Sequence, residues 1–158
     1  MNKIKNTKGF TLMEMLIVVA IIAVLVAIAI PTFTTSLNKA RVAADAANIR
    51  SGYAAVMADI LTNHLEDKGT GTTPTKVVYN LKKDGTVVTG TEGNYAGDFK
   101  TQGKATDTNK KQDIAGQMLN WGSEKGVQYI YTPSADDGTP NNKTVEIKIE
   151  GSTSTTQP

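Results

Sequence analysis

The stretch Lys8-Gly9-Phe10-Thr11-Leu12-Met13-Glu14, continuing as MLIVVAIIAVLVAIAI over residues 15–30 and closing on Pro31, decides the fold. Met15 to Ile30 contains no polar side chain, and back to Phe10 only Thr11 and Glu14 interrupt the apolar run. As a helix rising about 1.5 Å per residue, residues 10–30 span about 31 Å, close to the hydrocarbon thickness of a bilayer at about 30 Å. A helix apolar on every face needs lipid or protein all round it. The rest of this chain is too polar to wrap it, so a buried core helix fits poorly and a membrane span fits well. Lys3, Lys5 and Lys8 precede the run, which keeps the first residues cytoplasmic and exports the bulk.

A secretory signal peptide also has a basic start and an apolar stretch, followed by a small-residue cleavage site. Ala27-Ile28-Ala29 mimics one, but cleavage there discards the most distinctive part of the chain. Glu14 separates the readings. A carboxylate inside lipid is costly by a few kcal/mol, so it is a functional hypothesis by default. The bland alternative is that Glu14 snorkels to the interface from its place near the helix start. That alternative leaves the string KGFTLME unexplained.

Composition excludes several chemistries. The 158 residues hold no cysteine, so there are no disulfides, thiolate metal sites or Cys nucleophiles. The single histidine, His64, excludes a multi-His centre and is given no catalytic role. No catalytic triad, metal cluster or phosphate loop is evident, and the glycine-rich residues 90–97 lack the GxxxxGK[ST] pattern. The chain is therefore read as a non-enzyme without cofactor or metal. A net charge of +2 gives no basic excess of the kind nucleic-acid domains show. Lys100, Lys104, Lys110 and Lys111 cluster only loosely and read as a solvated loop, so a nucleic-acid partner is not favoured.

With those residues in place, the string KGFTLMEMLIVVAIIAVLVAIAIP resembles the type III signal of type IV prepilins and pseudopilins. The resemblance covers roughly residues 3–50. It implies a basic leader, residues 1–9, removed by a membrane prepilin peptidase that cuts between Gly9 and Phe10, and N-methylation of Phe10. A glycine at Gly9 suits a scissile bond that must be approached closely. Glu14 lies one helical turn from the new Phe10 amine. It compensates that amine within a subunit or pairs with a neighbour's, fixing register as well as attraction. The apolar helix is a transmembrane anchor before assembly and the core of a filament after it. Pro31, which removes a backbone donor, marks a kink where such helices bend or melt.

The predicted fold is α+β, with a long N-terminal helix packed on an antiparallel sheet of about four strands. Residues 10–31 form the hydrophobic half of the helix and 32–65 the amphipathic half, with Val42, Ala46, Ile49, Tyr53, Val56 and Ile60 as its apolar stripe and Asp45 off it. Residues 66–150 form the head. Strands are expected at Lys76–Leu81, Thr86–Thr89, Val127–Thr132 and Thr144–Ile149, with Asp84-Gly85 turning the first hairpin. Residues 90–111 are expected to be a long exposed loop, Gln112–Trp121 a short helix with Ile114, Met118, Leu119 and Trp121 inward, and residues 151–158 a disordered tail.

The resemblance implies a structural subunit of a type IV pilus serving adhesion, twitching motility or aggregation; the alternative is a pseudopilin of a secretion or DNA-uptake system. The implied partners are further copies of the chain, the peptidase and methylase, an assembly ATPase, membrane platform proteins and, before assembly, lipid. The implied location is a single-pass membrane protein that becomes a surface filament. Lack of cysteine departs from the disulfide-closed members and hints at a Gram-positive host. Asp136, Asp137 and Asn141 offer oxygens for calcium, but Asp-Asp-Gly is also ordinary turn chemistry, and calcium is not favoured. Asn142-Lys143-Thr144 matches the glycosylation pattern only weakly.

Overall fold

The apolar run and the amphipathic stripe fold as one helix, α1 (Leu12–Asn63), in a computed structural model that describes residues 9–63, 76–106, 111–133, 144–152 and 155–156. The chain divides into two compact units, Met1–Leu37 and Asn38–Pro158. In the first, α1 is the one element among the described residues. Its side chains from Leu12 to Ile30 are exposed, and its most apolar window is entirely unburied, so by length and composition the helix can cross a membrane. The helix continues through Pro31 without a break. The Thr34 and Thr35 hydroxyls both donate to the Pro31 carbonyl at 3.0 Å, and Thr32 donates to Ile28 O at 3.2 Å. Such back-bonding satisfies the hydroxyls but slightly weakens a helix and favours bending, here just around the proline.

In the second unit, α1 buries the stripe the sequence predicts: Val42, Ala46, Ile49, Val56 and Ile60, with Tyr53 partly buried. It packs on a four-stranded antiparallel sheet of order β2-β1-β5-β6, built from β1 (Val77–Leu81), β2 (Val87–Gly90), β5 (Val127–Thr132) and β6 (Thr144–Ile149). Gly85, at φ +81°, supplies the left-handed residue of the β1–β2 turn. The core is aromatic where helix meets sheet, with Tyr79, Tyr129, Tyr131 and Trp121 all buried. Tyr129 donates its hydroxyl to Ile49 O at 2.8 Å. Burial pushes its phenol pKa upward. Gly52 makes this approach possible, because a Cβ there would stand 2.6 Å from Leu81 Cδ1 and closer still to the Tyr129 hydroxyl.

Three expectations are corrected. Residues 112–121 are not a helix but the hairpin β3 (Gln112–Ile114) and β4 (Gln117–Leu119), turned by Ala115 at φ +54° and Gly116 at φ +77°. Two successive positive φ values suit the tight hairpin turn that matches strand twist. The inward residues Ile114, Leu119 and Trp121 are buried as expected, while Met118 is only partly so. Next, residues 98–106 are not a solvated loop. Phe99, Thr101, Gly103 and Ala105 are buried while Lys104 and Gln102 face out, the alternation of a strand. Finally, Thr155–Thr156 in the supposed tail form β7, which pairs with β4 in a second sheet of order β3-β4-β7.

Gln117 joins the two sheets. Its side-chain Nε2 donates to Val145 O at 2.7 Å, and its Oε1 accepts from Ile147 N at 2.8 Å. The amide thus offers β6 the donor and acceptor that a neighbouring strand's backbone would. A second amide, Gln128, is wholly buried and ties down residues 91–94: it accepts from Gly93 N at 3.0 Å and donates to Thr91 O and Asn94 O at 3.0 and 2.8 Å.

Candidate functional site

Helix α1 begins with a reciprocal cap. The Thr11 backbone N–H and hydroxyl both donate to Glu14 Oε2 at 2.8 Å, and the Glu14 N–H donates to Thr11 Oγ1 at 3.2 Å. Thr-x-x-Glu is a capping box, which satisfies helix-start donors that otherwise have no partner. The sequence reading weighed Glu14 only against charge; the T-x-x-E spacing at residues 11–14 was the signal for this second role. Glu14 is also the acidic residue of the first turn, where the helix dipole favours a negative charge.

Just before the cap lie Gly9 and Phe10. Phe10 is 80% exposed, and a Cβ built on Gly9 meets nothing within 4 Å. The Gly9–Phe10 peptide bond is therefore accessible and lies outside the cap, since the amide used by Glu14 is that of Thr11. The structure brings Phe10, Thr11 and Glu14 together at one helix end; Pro31 lies about five turns along the same helix, at 3.6 residues per turn. Lys3, Lys5 and Lys8, His64, Asp136, Asp137, Asn141 and Asn142 lie outside the described residues.

The head carries its own polar centre, at a residue placed off the apolar stripe by sequence. Asp45 is 1% exposed. Gln102 N donates to both its oxygens at 3.0 and 2.9 Å, Gly103 N to Oδ2 at 2.8 Å, and Trp121 Nε1 to Oδ2 at 3.2 Å. Two turns earlier, Asn38 accepts from Lys104 N at 2.8 Å and donates to Lys104 O at 3.0 Å. Helix side chains seven residues apart thus clamp the backbone of residues 102–104. At Gly103 this backbone runs against the helix itself, where a Cβ would stand 2.5 Å from Val42 N. The signal available in the sequence was the alternation of Phe99, Thr101, Gly103 and Ala105 with Lys100, Gln102 and Lys104.

Comparison with known proteins bears on the first of these two sites. Residues 4–30 match the family model described as the prokaryotic N-terminal methylation motif. Over 52 residues the chain is 56% identical to the type IV narrow pilus major component PilA5 of Thermus thermophilus. That match covers 31% of this chain and 45% of the relative, so the chain spans less than half of the length of the protein it matches. No solved structure matches.

Proposed function

We propose, from the premise that this chain carries the N-terminal methylation motif of prokaryotic type IV pilins, that it is a structural subunit of a type IV pilus. The observation that carries this reading is a helix whose apolar half is wholly exposed and lies within the matched motif, residues 4–30. Such a surface is tolerable only in lipid or against copies of itself. Cleavage between Gly9 and Phe10 leaves the capping box intact, because the Thr11 N–H belongs to the next peptide unit. The cut creates a Phe10 ammonium beside a carboxylate already oriented by Thr11. Within one subunit Glu14 then neutralises that charge. In a filament it pairs with the ammonium of a neighbour, and the pair strengthens as water is excluded. Alanines at Ala20, Ala23, Ala27 and Ala29 permit close helix approach. Pro31, lacking an N–H, is the place where the packed helix yields under load.

The peptidase and methylase, an assembly ATPase and membrane platform proteins follow as partners, and a surface filament as the destination. Gold labelling with antibody to residues 66–158 tests the reading on negatively stained cells. Continuous label along thin filaments is expected. Label confined to the cell envelope, with filaments present but unmarked, would refute it in favour of a pseudopilin.

A further inference from the structure

The described cations of the head are not evenly spread. A half-open cavity of about 250 Å³ is walled by Arg41 and Asn48 of α1, Lys83 of the β1–β2 turn, and Lys100 and Gln102 of the extended segment, with Phe99 and Ala44 as its apolar side. Three elements remote in sequence thus bring three cations to one concavity. Lys100 is placed by an ion pair to Glu150 at 3.7 Å. The Arg41 guanidinium and the Lys83 ammonium enter none of the ion pairs among the described residues, while the Lys83 backbone N–H donates to Asp98 Oδ1 at 2.8 Å.

The one carboxylate in the wall is Asp45, four residues after Arg41, a spacing at which helical charges ordinarily pair. It does not pair. Its oxygens accept the Gln102 and Gly103 amides and the Trp121 indole N–H. Asp45 keeps its negative charge while its oxygens are turned to those N–H groups, so the wall carries three cations against one carboxylate. Its remaining polar lining, Asn48 and Gln102, supplies amide groups able to donate as well. A guanidinium fork, two ammonium groups and side-chain amides make a donor set matched to a tetrahedral oxyanion. The volume exceeds that of a bare ion and leaves room for the group that carries it.

We infer that this cavity is a binding site for a phosphate or sulfate group borne on a small polar moiety. The inference stands on the head alone and does not depend on filament assembly. In a polymer of heads, weak sites of this kind would act together on a multivalent ligand, raising avidity without new contacts.

The test uses the full chain in zwitterionic detergent at constant ionic strength, titrated with inorganic phosphate, sulfate and acetate, with backbone amide NMR shifts as the readout. Saturable shifts at Asn48, Lys83 and Gln102 are expected with phosphate and sulfate. Arg41→Ala/Lys83→Ala should weaken them at least tenfold while leaving the spectrum of the core unchanged. Lys39→Ala/Lys111→Ala, which removes two cations outside the cavity, should not weaken them. Absence of saturation, equal weakening in both double variants, or acetate binding as tightly as phosphate would each overturn the assignment.

Discussion

Replacing Asp45 by alanine should cost the head more than any other single polar substitution. The carboxylate accepts from three N–H groups, of which Gly103 N and Trp121 Nε1 are buried and Gln102 N is within reach of solvent. A buried donor left without a partner costs about 1–3 kcal/mol, so the two buried ones together lose about 2–6 kcal/mol. For a unit of this size about 1 kcal/mol moves the midpoint by about 3–5 °C, so a fall of about 6–30 °C is expected. Asp45→Asn keeps one acceptor oxygen but turns an NH₂ toward an N–H, and should lose roughly half as much. Trp121 is the only tryptophan and a direct partner of Asp45. Its fluorescence therefore reports both unfolding and the loss of its own hydrogen bond in the native baseline. An Asp45→Ala midpoint within about 2 °C of the parent, with native Trp121 emission unchanged, would refute the clamp.

Further outcomes follow from other residues. Glu14→Ala should still be cleaved after Gly9, yet yield few filaments, since an unpaired buried charge costs about 3–5 kcal/mol; wild-type filament amounts by electron microscopy would sink the register role. Gln117→Ala should remove the protection of the Ile147 amide in hydrogen exchange while that of Tyr129 persists; equal protection at Ile147 would show that the side chain does not seal the strand. Gly52→Ala should displace Tyr129 and Leu81 and cost about 1–3 kcal/mol by overpacking, read by chemical denaturation; an unchanged midpoint would show that the helix can shift at no cost. The Lys148 ammonium bonded to Glu92 at 2.5 Å holds that carboxyl below its ordinary 4.5. Because the folded pKa is the lower one, the stabilisation is present above about pH 4.5 and fades as pH falls through the folded value. Both side chains are more than a third or nearly a third exposed, so Glu92→Gln should flatten the acid limb of stability only slightly.

The helix and the four-stranded sheet were legible because each follows a single period. The stripe from Val42 to Ile60 repeats at 3.6 residues, and the four main strands alternate between turn signals. Residues 112–121 were misread because Ile114, Met118, Leu119 and Trp121 fit a helix as well as a hairpin, and Ala115 gives no hint of positive φ. Asp45 was misplaced for another reason. A charged letter next to an apolar stripe reads as solvent-facing unless its partners are known, and those partners are backbone amides 57 and 58 positions away. At the N-terminus the residues of the candidate site, Phe10 and Glu14, were legible as a motif. The cap that orients Glu14 was equally present in the spacing of Thr11 and Glu14, hidden by the louder question of a charge in lipid.

Gln117 has a consequence for life at high local concentration. A sheet has two borders, and an unpaired border is a template on which a second chain can nucleate. Here the β6 border is occupied by a side chain that answers its hydrogen bonds without propagating them, because a single amide offers no further row to copy. Sheet growth from that side ends within the molecule. In the four-stranded sheet, among the described residues, heads crowded together are then left with the short β2 border as the one open to strand exchange.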